Sequence, residues 1–478
     1  MDSFVVRLEK NKSTKRRIWE RDIWEIEGKF SSTYRHRIVR RLLKSYSELN
    51  LSHKFVSEGS ILSDRGSLRG REWISSLEFD SKGIYLASVT STGCLKVHDY
   101  ESLCCKCASA QMKDGRKKND FRDEAKPIVE ISTREKLDAV RWNPTNQDEI
   151  GCVSERNGKV LLFDIGYESS KPSQVLERKL NPSEQEDMEH FGLSDLAFSS
   201  GDKFRLLACG LDGNVHMWDR RTGKFSCSVT SDLFDSRPLS CLQWTYDEQI
   251  VYAGCKTGNV YAWDLREGRT STAFLSHNEV YRPPLETITI ASLLEDISSL
   301  KAQTEIISSG VQSVNLNPSC WYQLAFHLNN GWSGVLNLNS KKVTHIHCPP
   351  PPWMTRDSPT ASFYHRKPAW LPSVSIYVAG SALDYGINIL DFSPGYKSSC
   401  YVDSDSDGMQ TDLEENDGHL HSKMVQVSAP VVACTAHPLN TSFVGGTEGT
   451  SLALIAQKYE STSGEGSPSD GSLSWAHI

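Results

Sequence analysis

Two short segments carry side chains suited to recognising a carboxylate on another protein rather than to catalysis. In each, an arginine follows a Trp-Asp pair by two residues, so that the segments read Trp218-Asp219-x-Arg221 and Trp263-Asp264-x-Arg266. A planar guanidinium group binds a carboxylate through two parallel hydrogen bonds, and arginine is frequent among the residues that dominate protein–protein binding. The two arginines therefore predict a site for a partner protein.

Both segments end a repeated pattern of short strands. Around the first, alternating apolar and polar residues predict strands at 193–198, 205–210 and 214–218, with a tight turn at Asp212-Gly213. The second Trp-Asp pair comes 45 residues after the first. We therefore expect the two arginines to occupy equivalent positions on adjacent repeats.

The pattern recurs along the chain and predicts an all-β fold. Two weaker copies precede these repeats and three fainter ones follow, so that copies begin at 74, 137, 193, 239, 311, 368 and 431. Seven units of about four short strands can close into a ring, which removes the exposed sheet edges of an open array. The prediction is a seven-bladed β-propeller.

The repeats also predict the organisation of the chain. We expect the propeller to span residues 71–457, and the polar end at 458–478 to be disordered. Segments that do not fit the repeat are predicted to be surface insertions, because such loops accept added residues at small entropic cost. These insertions are 107–127, 167–190, 277–305 and 404–424.

The first 70 residues form an arm of a different kind. Their apolar residues recur at near-helical spacing and predict a short N-terminal helix pair within 15–48. The apolar faces of the two helices are candidates for contact with a partner, and the second helix is basic on its other face. The candidate contact residues are Trp19, Ile23, Trp24, Ile38 and Leu42.

The repeats, with their Trp-Asp endings and their period, resemble those of the WD-repeat family over about 380 residues, from the copy that begins at Ile74 onward. The third and fourth copies carry the resemblance most clearly. In that family, the turn Asp and the strand Trp belong to a hydrogen-bonded network that fixes each blade. The resemblance therefore implies structural roles for Asp212, Trp218, Asp219, Trp263 and Asp264.

Residues 206–221, LLACGLDGNVHMWDRR, resemble the box of a narrower group. This group comprises WD-repeat substrate receptors that dock onto the damaged-DNA-binding adaptor of cullin-4 RING ubiquitin ligases. The second box, 251–266, departs from the pattern because Thr257 replaces the turn Asp. Members of the group often carry a helix-loop-helix before the propeller. The resemblance implies that Arg221, Arg266 and the arm helices bind this adaptor, while another face presents an unidentified protein substrate.

An alternative remains open at this stage. The chain would then be a general scaffold in a nuclear assembly for chromatin or RNA processing, or in a cytoskeletal assembly. In that case both arginines would be ordinary solvated rim residues.

Signatures of catalysis are missing from the sequence. It contains no Walker loop, no G-x-S-x-G elbow and no H-E-x-x-H motif, so we expect neither enzymatic activity nor a cofactor. The CCKC cluster at 104–107 lacks a second ligand pair at zinc-finger spacing. We therefore predict no metal site there.

The segment 403–414 matches the calcium-loop pattern, with Asp403, Asp405, Asp407, Gly408 and Glu414 at the ligand and turn positions. However, Gly and Pro residues flank it where the pattern requires helices, and Gln410 replaces the usual apolar anchor. A solvated acidic loop that can be phosphorylated is the preferred interpretation.

Charge and hydropathy narrow the expected environment. The 478-residue chain has a net charge of −7, which argues against nucleic acid as the main partner. It has no apolar run long enough to span a membrane, so we expect a nuclear or cytoplasmic protein without membrane contact. In such a reducing compartment, cysteines within apolar runs are expected to be small buried side chains. They are Cys152, Cys209, Cys241, Cys255 and Cys434.

Overall fold

The structure of the chain is a computed structural model. It describes residues 39, 41–54, 72–105, 127–133, 135–167, 169–177, 192–221, 224–230, 237–266, 279–281, 283–297, 300, 309–349, 367–381, 385–394, 402–403 and 422–457.

Seven separate sheets form the seven blades of a β-propeller. Their first three strands are mostly five or six residues long, and most buried residues of these strands are apolar or small. Blade 1 contains β2 (Ile74–Phe79), β3 (Tyr85–Thr90), β4 (Cys94–Asp99) and β5 (Val129–Ser132). Blade 2 contains β6 (Ala139–Trp142), β7 (Glu149–Ser154), β8 (Asn157–Asp164) and β9 (Gln174–Glu177). Blade 3 contains β10 (Leu193–Phe198), β11 (Arg205–Gly210), β12 (Asn214–Asp219) and β13 (Lys224–Thr230), with β17 (Glu279–Tyr281) as a fifth, parallel strand.

The other four blades follow the same plan. Blade 4 contains β14 (Leu239–Trp244), β15 (Ile250–Cys255), β16 (Asn259–Asp264) and β18 (Glu286–Thr289). Blade 5 contains β19 (Val311–Asn317), β20 (Cys320–Leu328), β21 (Ser333–Asn337) and β22 (Lys342–His347), with β26 (Val402–Asp403) parallel to β22. Blade 6 contains β23 (Ala369–Trp370), β24 (Ile376–Gly380), β25 (Gly386–Asp391) and β27 (Ser422–Gln426). Blade 7 contains β28 (Val431–Ala436), β29 (Phe443–Thr447), β30 (Ser451–Gln457) and β1 (Tyr46–Lys54).

The core lies between the blades. Seven apolar clusters occupy the seven interfaces between neighbours, so each blade buries both of its faces. The first strands of neighbouring blades contact each other around the ring, and β2 of blade 1 contacts β28 of blade 7. The predicted seven-bladed propeller is confirmed, and blades 5, 6 and 7 begin within one residue of the positions predicted from the repeat.

The ring closes with a strand from the N-terminal arm. Residues 41–45 are helical, but the chain enters β1 at Tyr46, where the sequence predicted that the helix would continue to residue 48. Strand β1 runs antiparallel to β30, from Tyr46 opposite Gln457 to Lys54 opposite Ser451. The helical prediction was wrong here because β30 offers an unpaired edge, whose hydrogen bonds outweigh the local preference for helix.

Three of the four predicted insertions contain blade strands. Strand β9 lies within 167–190, strand β18 lies within 277–305, and strand β27 begins within 404–424. These outermost strands bury few residues: in β9 only Leu176 is buried, and its neighbours are exposed or half-buried. They were missed because their apolar pattern is correspondingly short. The segment 458–478 lies outside the described residues, and so does most of 107–127.

The only helix with complete described bounds is α1, Ile290–Glu295, which follows the outer strand of blade 4. No helix among the described residues has the length and apolar character needed to cross a membrane.

Candidate protein-docking face

The two arginines lie on the same face of the ring. In each blade, the turn between the first and second strands lies at the same end of the propeller, which we call the lower face. These turns include 80–84, 199–204, 245–249 and 437–442. Asp219 pairs with Arg205 at the start of β11, and Asp264 pairs with Ile250 at the start of β15. The residues that follow these aspartates therefore emerge on the lower face, from adjacent blades.

Arg221 is held in place but remains exposed. Its side chain is 55% accessible and contacts both oxygens of Asp219, with Nη2 lying 3.0 Å from Oδ2. Nη2 also donates to Asp202 at 3.2 Å, and the guanidinium group lies 5.4 Å from the centroid of the Phe204 ring. The hydrogen bond from Arg221 holds the pKa of Asp219 below its usual value. The open part of the guanidinium group is thus presented in a defined orientation.

Arg266 repeats this arrangement on blade 4. Its backbone N–H and its Nε both donate to Oδ1 of Asp264, and its side chain is 58% accessible. The predicted equivalence of Arg221 and Arg266 is therefore present in the structure: each arginine folds back onto the Asp of its own Trp-Asp pair.

Arg220, next to Arg221, has a different role that the sequence did not predict. It reaches across to blade 2, where its two terminal nitrogens contact the two carboxylate oxygens of Glu149 at 2.8 and 2.5 Å. Its Nε donates to Gln174, and both partners of the ion pair are largely buried. Arg220 is therefore a clamp between blades. The partner residue is 71 positions away in the sequence, so local spacing gave no signal for it.

The other residues of the box lie in the turn and in the strand that follows it. The Asp212 carboxylate accepts from the backbone and side chain of Asn214 and contacts the ring of His216 at 3.1 Å. Gly213 has a φ of 79°, which favours glycine in this turn. Trp218 and Trp263 are almost completely buried between blades. In blade 4, Thr257 contacts the Cys255 sulfur instead.

The arm enters the propeller on the lower face. The Tyr46 hydroxyl donates to the carbonyl of Thr441, in the lower turn of blade 7. Val39 and Leu43 are buried against the core between blades 6 and 7, and Leu42 is half-buried against the same cluster. Leu42 therefore has an internal packing role besides any contact it makes with a partner. The other four candidate arm residues, Trp19, Ile23, Trp24 and Ile38, lie outside the described residues.

Exposed apolar side chains concentrate on the same face. Among the described residues, seven of the ten large apolar side chains with high exposure lie in or beside lower-face turns or at the lower ends of strands. Trp321 is 66% exposed and Leu439 is 71% exposed. The seven residues are Ile84, Ile128, Tyr167, Tyr246, Leu285, Trp321 and Leu439. These residues come from blades 1, 2, 4, 5 and 7, so this face offers apolar contacts around most of the ring.

Contacts between neighbouring blades brace the lower face around the ring. They include both side-chain pairs and bonds from side chains to backbone, and they join every pair of neighbouring blades. In order from the blade 7–1 interface, these are His437 with Gly83, Gln147 with Asp80, Arg220 with Glu149, Glu248 with Gly201, Lys341 with Glu286, Asn317 with Ser375 and Lys423 with Tyr46. A braced surface loses little entropy when a partner binds.

Charged residues near the ring axis are engaged in contacts between first strands. Glu78 accepts from the backbone of Trp142, Arg141 pairs with Asp195 at 2.9 Å, and Asp195 accepts from the backbone of Leu242. Burial raises the pKa of Glu78 to about 7, against the opposing effect of Arg141. These groups hold blades 1 to 4 together.

Within the described part of the chain, no group of three or more His, Cys, Asp or Glu residues is placed to hold a metal ion. Cys104 and Cys105 form no disulfide bond within the described part of the chain, and residues 404–414 of the calcium-like segment lie outside it. The prediction of buried cysteines is confirmed, since Cys152, Cys209, Cys241, Cys255 and Cys434 are all buried and unpaired. Burial raises the pKa of the Cys241 and Cys434 thiols to about 12.

Comparison with known proteins supports the repeat and gives one partial relative. Residues 185–219 match the family model described as "WD domain, G-beta repeat". A segment of 92 residues, 19% of this chain, is 32% identical to E3 ubiquitin-protein ligase COP1 of Arabidopsis thaliana and covers 11% of that protein. The chain thus matches only a small part of that relative's length. The protein is a seven-bladed β-propeller that contains a WD repeat in its third blade.

Proposed function

We propose that this protein is a non-catalytic substrate receptor of a cullin-4 RING ubiquitin ligase, which uses its lower face and N-terminal arm to bind the damaged-DNA-binding adaptor. The observation that carries the proposal is the placement of three features on one face. Arg221 and Arg266, the entry of the arm at Tyr46 and the exposed apolar side chains all lie there. The partial similarity to a protein named as a ubiquitin ligase agrees with this direction.

The proposed mechanism is bridging. One face would hold the adaptor while another presents a protein substrate, so ubiquitin transfer would become effectively intramolecular. Modest affinity for each partner then suffices. The protein would act in the nucleus or the cytoplasm, where such ligases work, without membrane or direct nucleic-acid contact.

One observation favours the alternative, a general WD-repeat scaffold. Each arginine already has a carboxylate partner in its own blade, as a solvated rim residue would. A binding measurement separates the two functions.

The test is the affinity of purified full-length protein for purified adaptor. We expect Arg221→Ala combined with Arg266→Ala to weaken binding by about tenfold or more, because interface arginines often contribute at least 1–2 kcal/mol each. Arg156→Ala is the matched control, since Arg156 is an exposed arginine in the second-to-third-strand turn of blade 2, at the opposite end of the ring. Equal affinity of all three proteins would reject the adaptor role of the arginines.

Removal of the arm is the second variant of the same test. The deletion has to end before Val39, because Val39, Leu43 and Tyr46 belong to the core between blades 6 and 7. A protein lacking residues 1–37 keeps these contacts, so lost binding could then be assigned to the arm. Binding that survives both this deletion and the arginine substitutions would favour the scaffold.

A further inference from the structure

The turn that positions Arg221 is itself held by a residue of the next blade. Glu248, in the lower turn of blade 4, accepts hydrogen bonds from four groups of the blade 3 turn 199–204. These are the hydroxyls of Ser199 and Ser200 and the backbone N–H groups of Ser200 and Gly201, with distances of 2.6 Å for the Ser200 hydroxyl and 3.0 Å for Gly201. One carboxylate thus accepts from four donors of a neighbouring turn.

A chain of three hydrogen bonds connects Glu248 to Arg221. The buried Ser199 hydroxyl donates to Glu248 and accepts from the backbone N–H of Asp202 at 2.8 Å. The Asp202 carboxylate in turn accepts from Nη2 of Arg221 at 3.2 Å. Asp202 is also held by the N–H groups of Phe204 and Arg205, at 3.1 Å to its carboxylate and 2.9 Å to its carbonyl. The bond from its backbone to Ser199 is the one through which a change at Glu248 reaches the guanidinium group.

The backbone of Glu248 indicates that its side chain is needed. Its φ is 54°, in the left-handed region that favours glycine and is strained for other residues. Burial tends to raise the pKa of Glu248, but the hydrogen bonds from Ser199, Ser200 and Gly201 hold it below its usual value. A carboxylate therefore stands where glycine would fit the backbone better.

The same turn of blade 4 also neighbours the second arginine. The pKa of Asp247, next to Glu248, lies below its usual value, chiefly because the Thr245 hydroxyl donates to its carboxylate. The positive charge of Arg266 makes a smaller contribution in the same direction. Gln249 of this turn also accepts from the backbone N–H of Leu265 at 2.8 Å, so the turn 245–249 neighbours both arginine positions.

We propose that Glu248 is a positioning residue for adaptor binding, which orients Arg221 from the neighbouring blade through Ser199 and Asp202. This inference rests on the proposed function for its consequence in binding. The orientation of Arg221 can be measured without any adaptor.

The test uses Glu248→Gly, which removes the carboxylate and suits the left-handed backbone, so that folding is preserved. The first readout is the rate at which an arginine-specific dicarbonyl reagent labels each arginine, followed by peptide mass spectrometry. We expect Arg221 to be labelled about two- to fivefold faster, as when a surface ion pair is loosened, and Arg266 and Arg156 to be unchanged. Glu286→Gln is the matched control, because Glu286 also bridges two blades, through Lys341, but does not contact the 199–204 turn.

The second readout is adaptor affinity in a double-mutant cycle. We expect Glu248→Gly to weaken binding in the wild-type protein but to add almost nothing in the Arg221→Ala protein, since both changes act through the same guanidinium group. Full additivity would overturn the inference. In the Glu248→Gly protein, faster hydrogen exchange of the Ser200 and Gly201 amides would show that the turn is loosened. If Arg221 were then labelled at the wild-type rate, the inference would be overturned too. If wild-type protein fails to bind adaptor, the proposed function fails, while the labelling still decides whether Glu248 positions Arg221.

Discussion

At the scale of single residues, two adjacent arginines differ in burial, and only the exposed one is the proposed docking residue. Arg220 and Glu149 form a largely buried bidentate pair between blades, whereas Arg221 is more than half exposed. Removing one partner of a buried pair leaves the other charge without compensation, while loss of an exposed ion pair costs little. The Arg220 side chain therefore stabilises the ring, and Arg221 remains available for binding.

We predict that Arg220→Ala lowers the free energy of unfolding by about 2–3 kcal/mol, and that Arg221→Ala leaves it nearly unchanged. Urea denaturation of the two variants measures the difference. A similar loss in both would show that the division between clamp and docking residue is wrong.

Glu78 predicts a pH dependence of stability. Its pKa is raised from 4.5 to about 7, chiefly by burial, so its protonated form is favoured in the folded state. The contribution of Glu78 to the free energy of unfolding is complete below its unfolded pKa of about 4.5, and it is lost as the pH rises through about 7. Glu78→Gln keeps a carbonyl oxygen for the Trp142 N–H but cannot ionise. As the pH rises from about 5 to about 8, we expect the unfolding free energy of the Glu78→Gln protein to fall less than that of the wild-type protein. Parallel profiles for the two proteins would contradict this role.

At the scale of secondary-structure elements, the inner strands could be predicted from sequence and the outer ones could not. Strands β10, β11 and β12 follow the predicted positions because they are short apolar segments bounded by turns, and almost all of their apolar residues are buried. The outer strand β9 has one buried residue, and β1 comes from the opposite end of the chain from its partner β30. Pairing over such a distance leaves no local pattern.

The same distinction applies to the candidate site. Arg221 and Arg266 could be found because the repeat shows them at equal spacing within their blades. Arg220, Glu149 and Glu248 could not be found, since their contacts join residues 47 to 71 positions apart on different blades. Sequence spacing identifies which side chains recur, and only the fold shows which of them face a neighbour.

The helical residues before β1 form part of the closure of the ring. Leu43 is completely buried between blades 6 and 7. We predict that Leu43→Ala lowers the free energy of unfolding by about 2–4 kcal/mol, as expected for a cavity in a packed core. Arg41→Ala, at an exposed position of the same turn, is the control and should be nearly neutral. Equal stability of both variants would mean that this segment is not part of the closure.

At the scale of the whole molecule, the propeller presents two ends with different properties. The lower face carries most of the exposed apolar side chains among the described residues, both arginines and the entry of the arm, and it is braced across every blade interface. The arginines belong to blades 3 and 4, while the arm enters at blades 6 and 7. A partner that contacts both regions has to extend across the ring, which suits a large adaptor protein better than a short peptide.

The most direct test of this account is a hydrogen–deuterium exchange footprint of the full-length protein with and without purified adaptor. We predict protection of the lower turns 199–204 and 245–249, of residues 219–221 and of the helical turn 41–45. The upper turns at 211–213 and 256–258 should exchange equally in both states. Unchanged exchange throughout the lower face, or protection confined to the upper turns, would contradict the assignment of the lower face as the docking surface for the adaptor.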